Sequence, residues 1–272
     1  MATRDLVSLS KNPGGLGFTY LATFDDNEMY NTCVLDLSRT PVLCPRGESG
    51  QGLAAISVAS VTVTNTAITL GDHLHNNIID FNGLEAVPIP EYSIDDPETL
   101  CKVLGYLGLP HTITDHGRIT YTGTSAYSVP RTFVDGFVIK PIPHTLIEML
   151  GFQNATTAVF GKIQKTIIVP GHEGANYPDV KGPLRDLIIT CEQVQYTKDS
   201  QQAVAVCSPS SRFGKPFAKD CTEYARNLDI PGGRIDRLVF HIEDASKRPV
   251  KFAFGVPLIS LRILPLTDNV LS

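Results

Sequence analysis

Asp72, His73 and His75 are the residues whose types and spacing point most directly to chemistry. Two imidazoles separated by one residue fall on the same face of a strand, where, beside a carboxylate, they are usable Zn²⁺ ligands. No third ligand follows at a convincing spacing, and the plain alternative is a polar loop after the alternating stretch 68–70. His111, His116, His144, His172 and His241 offer bases for a Cys–His nucleophile. None of Cys33, Cys44, Cys101, Cys191, Cys207 and Cys221 stands in a recognisable nucleophile context. There is no G-x-S-x-G elbow, since Gly50 and Gly52 flank only Gln51. The adjacent carboxylates Asp25-Asp26 read as solvated and Asp95-Asp96 as a helix cap. No catalytic, cofactor-binding or metal-ligating residue is assigned.

Smaller motifs carry less. Asn12-Pro13-Gly14-Gly15-Leu16-Gly17 has the glycines of a phosphate loop but no Lys-Ser/Thr after them. Arg212, Lys215 and Lys219 alternate with Phe213 and Phe217, a pattern seen on nucleic-acid surfaces. In a chain of net charge -5 it reads instead as a loop whose phenylalanines pack against a neighbour. Asn154-Ala155-Thr156 is a glycosylation acceptor pattern, and Arg46-Gly47-Glu48 is a near-match to an integrin tripeptide. His241 falls opposite the Leu238/Phe240/Ile242 side, as a surface or interface residue.

The same charge gives no basic footprint for nucleic acid and no polybasic membrane anchor. The first residues have no continuous apolar core, which reads as the absence of a secretory signal, and no window reaches the roughly 18 apolar residues of a membrane span. Widely spread cysteines without such a signal are expected to be reduced thiols. With 272 residues, 42% of them hydrophobic, the chain has material for a sizeable core.

The elements that must position these side chains are mostly strands. In 235–264, Leu238, Phe240 and Ile242 alternate with Val239, His241 and Glu243, and a polar turn over 244–249 follows. Val250, Phe252 and Phe254 then share a side, as do Ile259, Leu261 and Ile263. Leu238, Phe240, Ile242, Phe252, Phe254, Ile259, Leu261 and Ile263 are expected in the core. Strands are also expected over 54–70 (Ile56 and Val58, Val61 and Val63, Ile68 and Leu70, with a turn or kink at Asn65) and over 78–81, 85–89, 118–122, 133–140, 166–169, 187–194 and 202–207, with Cys33 to Leu37 a short edge strand. Asn82-Gly83 marks a hairpin. One helix starts at Asp95 or Asp96 with Pro97 in its first turn, carries Leu100, Val103, Leu104 and Leu107, and stops at Gly108. A second, over 143–150, stops at Gly151. Strands without βαβ alternation predict an all-β chain, a single jelly-roll sandwich with two short helices in connections. Residues 1–50 are expected to be an N-terminal arm and irregular segment, and 51–272 one jelly-roll domain.

Several segments in order carry a resemblance. Asn77-Ile78-Ile79-Asp80-Phe81, then Val87-Pro88-Ile89-Pro90-Glu91-Tyr92, then the helix at Glu98-Thr99-Leu100 are followed by Gly117-Arg118-Ile119-Thr120-Tyr121. Leu146-Ile147-Glu148-Met149-Leu150-Gly151-Phe152, Leu187-Ile188-Ile189-Thr190, the run from Ile242 to Phe252 and Leu258-Ile259-Ser260-Leu261-Arg262 complete the order. Together they resemble the penton or minor capsid proteins of virophages and Polinton-like DNA viruses. That resemblance implies a non-enzymatic single jelly roll in the virion capsid, assembled inside the host cell. It implies a homopentamer at the icosahedral vertex that meets the major capsid protein and other minor capsid proteins, with no cofactor, membrane span or specific nucleic acid. The loops 111–132, 170–183 and 208–220 are the expected contact patches. Two other readings stay open: a minor, cement or single-jelly-roll major capsid subunit, and a cupin- or lectin-like sandwich binding a metal through His73 and His75, or a sugar.

Overall fold

The structure is a computed structural model and describes residues 8–12, 15–45, 54–81, 86–194, 202–221, 225–228 and 230–265. The chain begins with β1 (Ser8–Asn12), β2 (Gly15–Thr23), β3 (Thr32–Asp36), β4 (Val42–Leu43) and β5 (Ala54–Thr64). Next come β6 (Ile78–Phe81), β7 (Val87–Pro88), α1 (Pro97–Tyr106), β8 (His111–Ile113), β9 (Ile119–Tyr121) and β10 (Tyr127–Pro130). β11 (Thr132–Asp135), β12 (Val138–Pro141), α2 (Leu146–Leu150), β13 (Thr156–Phe160) and β14 (Ile163–Ile168) follow. The last part supplies β15 (Leu187–Cys191), β16 (Ala203–Cys207), β17 (Pro216–Asp220), β18 (Ala225–Asn227), β19 (Arg234–Ile235), β20 (Arg237–Asp244) and β21 (Leu258–Pro265). Residues up to Thr66 and from Arg185 onward form one compact unit, and Ala67–Leu184 form another.

The first unit holds two sheets, ordered β1-β2-β21-β5-β17 (with β18 also on β5) and β16-β15-β20-β3. The pairing is nested. β2 lies antiparallel to β21, β3 to β20, β5 to β17 and β15 to β16. The chain is thus folded back on itself as one long hairpin and divided between two sheets, which is the jelly roll. Each sheet buries one face: Ile259, Leu261 and Ile263 from β21, and Leu238, Phe240 and Ile242 from β20. In β5 the buried set is Ile56 and Val58, then Val61 and Val63. The change of phase has a cause in the register, where Ser260 faces Ser60 but Leu261 faces Val58, so Ala59 is an extra residue on β5. A one-residue bulge returns the following side chains to the core face.

Several expectations need correction. The stretch 235–264 does not close one sheet, because β20 and β21 are central strands of different sheets. Between them the chain crosses over. Phe252 N–H donates to the Met29 carbonyl (3.1 Å) and Ala253 N–H to that of Thr66 (2.9 Å). Away from a ladder, alternation no longer assigns a face; Val250 and Phe252 are buried, but Phe254 is 49% exposed and is not core. The segment before residue 50 contains strands. β2 sits inside its sheet beside β21, with Tyr20 and Ala22 buried, and β3 is the edge strand expected at Cys33–Leu37. β2 and β3 thus belong to the roll, while Ala67–Leu184, leaving after β5 and returning before β15, build a core of their own. Of the hairpin expected at Asn82-Gly83, the turn lies outside the described residues.

The second unit packs α1 and α2 into one apolar cluster with the sheet β13-β14-β10-β6-β7. α1 forms where local chemistry places it. Asp96 is the N-cap and accepts from Thr99 N–H at 2.7 Å, Pro97 fills the first turn, and Leu100, Val103 and Leu104 are buried. α2 carries a reciprocal capping box between Thr145 and Glu148 and ends at Gly151, φ 78°. An added Cβ there would lie 2.3 Å from the Asn176 carbonyl oxygen. Both helices belong to this unit.

Candidate functional site

The Asp72/His73/His75 set is not built for a metal. Asp72–Leu74 form a 3-10 turn, not a strand, and His75 takes the left-handed conformation at its end, φ 55°. Gly71 before the turn and the Asn77 amide bonding back to Asp72 Oδ1 (2.6 Å) favour this local closure over extension. The rings then diverge in role. His73 Nδ1 lies 3.7 Å from Glu91 Oε1, while the His75 ring stacks on Phe133 with centroids 3.9 Å apart and planes at 18°. Among the described residues no three His, Cys, Asp or Glu side chains are placed to hold one ion.

The other chemically capable side chains are spread apart and engaged. His111 is buried, with Nδ1 2.8 Å from the Leu109 carbonyl and Nε2 3.0 Å from the Tyr127 hydroxyl. Burial pushes its pKa down to about 4. His144 Nε2 reaches the Asp179 carbonyl (2.8 Å), His172 the Asn154 side chain (3.1 Å) and His241 Glu192 (2.9 Å), whereas His116 is exposed. The six cysteines are unpaired. Burial pushes Cys33, Cys191 and Cys207 up to about 12, so they are thiols rather than thiolates at neutral pH. Asn154, the acceptor of the glycosylation pattern, is tied into its loop through His172 and the Ala175 N–H. The Arg46-Gly47-Glu48 tripeptide lies outside the described residues.

Surface chemistry is more distinctive. β11 and β12 form a free-standing two-stranded ribbon closed by Gly136-Phe137, with Gly136 at φ 60°. Phe137 at its tip is fully exposed, and Val134, Val138 and Ile139 are exposed along it. The root is fixed: Phe133 packs on His75, Arg131 N–H donates to the Gln164 carbonyl (2.8 Å), and Thr132 Oγ1 accepts from Gln164 N–H (3.0 Å). Asp135 and Lys140 pair at 2.6 Å, and the Lys140 bond and charge hold the Asp135 carboxyl below its ordinary range. In solvent this pair adds little energy. The pattern over 133–140 predicts one strand, but Asp135-Gly136 inside it is a hairpin signal, and the chain turns there.

A second apolar feature is β13, the edge strand of its sheet, with Val159 67% and Phe160 49% exposed. Lys165 lies over the Phe160 ring at 5.7 Å and is paired with the buried carboxyl of Asp80 at 2.7 Å. In the jelly roll, Phe213 and Phe254 meet edge-on at 5.8 Å and both remain partly exposed. Of the expected contact loops, 208–220 holds β17, with Phe217 buried on its own sheet, and 111–132 contains β8, β9 and β10.

No family model and no curated protein matches this chain. Among solved structures, the crystal structure of a mavirus penton protein is similar at 8% identity and a TM-score of 0.44, covering 92% of this chain and 99% of that one.

Proposed function

We propose that this chain is a structural protein of an icosahedral viral capsid and forms its pentameric vertex capsomer. The observation that carries the reading is the nested strand pairing of a complete jelly roll that bears, in one connection, a second unit with an exposed apolar ribbon and edge. Exposed apolar surface of this extent belongs at protein–protein contacts. The ordered segments from Asn77 to Arg262 that resemble virophage and Polinton-like penton proteins support the same reading.

A capsid subunit works by geometry. Rigid sheets hold loops and edges at fixed angles, and a ring of five needs one patch of each subunit to meet a different patch of the next. The major capsid protein is the partner beyond the ring, and the segments 111–132, 170–183 and 208–220 are the surfaces proposed for these contacts. Among the described residues no helix is long and apolar enough to cross a membrane.

The test is native mass spectrometry of the purified full chain at tens of micromolar, followed by its localisation in particles. A discrete five-membered ring, found at the fivefold axes, is the expected result. A chain that stays monomeric, or that occupies the faces of the shell, overturns the vertex role.

A further inference from the structure

Building on the reading that this chain assembles, we propose that neighbouring copies join through the Ala67–Leu184 unit, the β11–β12 ribbon of one copy lying along the β13 edge of the next.

Three features of the ribbon call for a cover. It is two strands wide, and a lone two-stranded hairpin is marginal in water without further packing. Its apolar side chains face solvent. Phe137 alone presents on the order of 200 Å²; the cross-strand partners Val134 and Ile139 are exposed on one face of the ribbon and Val138 on the other, which is apolar surface of the size found at contact sites. A stable pair buries about 800 Å² on each partner, so the ribbon can supply a large part of one partner's share. The root of β11 lies against Gln164 of β14, but the outer edge of β12 carries no strand among the described residues, so its donors and acceptors are on offer as well.

The β13 edge matches it. In the β13–β14 hairpin the closing pair is Phe160 and Ile163, so the N–H and C=O of Val159 and Thr157 point away from β14. Val159 and Phe160 are exposed on this edge. Lys140 pairs with Asp135 and Lys165 with Asp80, and Lys162 stands exposed at the hairpin turn beside this edge. An apolar ribbon with its own ion pair and an apolar edge with one lysine at its end suit each other better than either suits a strongly charged partner. Ribbon and edge are different patches of one subunit, so the contact is heterologous and propagates around a ring, with strand addition providing the bond.

The experiment uses the full chain, Phe137→Asp and Val159→Lys, each measured by native mass spectrometry at tens of micromolar with melting curves alongside. Both residues face solvent, so melting temperatures should match the wild type. A lysine on a strand edge blocks pairing. The wild type is expected as a ring and each variant as a monomer. Mixed together, the variants should form a one-to-one dimer and nothing larger, because only one sound ribbon and one sound edge then remain to meet. Variants that still form rings overturn this interface and leave the vertex reading standing. A wild type that is monomeric overturns both, and variants that fail to pair when mixed overturn the ribbon-to-edge geometry.

Discussion

Lowering the pH from about 7.5 to about 5 is expected to loosen the Ala67–Leu184 unit through His111. The ring is 8% exposed and caged by Tyr121, Tyr127 and Phe152, with centroids 5.0, 5.9 and 6.0 Å away. In the neutral form Nδ1–H donates to the Leu109 carbonyl and Nε2 accepts from the Tyr127 hydroxyl. A proton added to Nε2 would put a charge into an apolar core and set two donors against each other. Burial accordingly lowers the pKa from 6.5 to about 4. The sign follows from the direction. Above pH 6.5 the ring is neutral in both states and its contribution is complete. As the pH falls below that, the unfolded chain takes up a proton that folded His111 refuses, so stability drops until about pH 4 and then levels. At about 1.4 kcal/mol per pH unit the whole passage is worth roughly 3 kcal/mol, and about 2 kcal/mol of it is gone by pH 5. Carboxylates held low, such as Asp135, titrate beneath this window. The assay is hydrogen exchange of peptides from α1, β10 and α2, corrected for intrinsic rates, in the wild type and in His111→Gln. The wild type should lose protection between pH 6.5 and 4.5 while the variant stays flat. Equal slopes in the two proteins, or a flat wild type, would refute the argument.

Three further outcomes are expected. Phe252→Asp should abolish soluble folded protein, because an unpaired carboxylate at a site 2% exposed costs several kcal/mol, comparable to the whole stability of a domain; soluble yield and far-UV circular dichroism read this. Gly151→Ala should destabilise the inserted unit by about 2 kcal/mol or more, seen as a lower melting temperature, since it adds a left-handed alanine and a Cβ against the Asn176 carbonyl. Cys33, Cys191 and Cys207 should resist iodoacetamide at pH 8 in the folded protein and react once it is denatured, as mass spectrometry of the alkylated peptides would record.

Local chemistry was legible in the sequence. Asp96-Pro97 with Leu100, Val103 and Leu104 marks α1 because a helix's cap, first turn and buried stripe all lie within ten residues. The strands at Leu238–Ile242 and Ile259–Ile263 show in their alternation for the same reason. So does the slip of phase in β5, although its cause, Ala59 as a bulge against β21, belongs to a partner strand some two hundred residues away. The misread residues fail along one line. His73 and His75 looked like a strand pair, but the Asp72–Asn77 bond closes a turn and turns His75 onto Phe133, a residue far along the chain.

Strand type, helix position and the all-β class were thus determined by the sequence alone, since each depends on neighbours along the chain. Which strands share a sheet was decided only by the tertiary structure. Pairing β2 with β21 joins the two ends of the chain, and placing β20 and β21 in different sheets leaves no trace in either strand's own pattern. The separate core of Ala67–Leu184 was equally hidden, because which strands share a core depends on packing between segments far apart along the chain. The exposure of Phe137 was hidden too. An apolar residue in a strand reads as core, and only the folded chain shows that no other described residue covers this one.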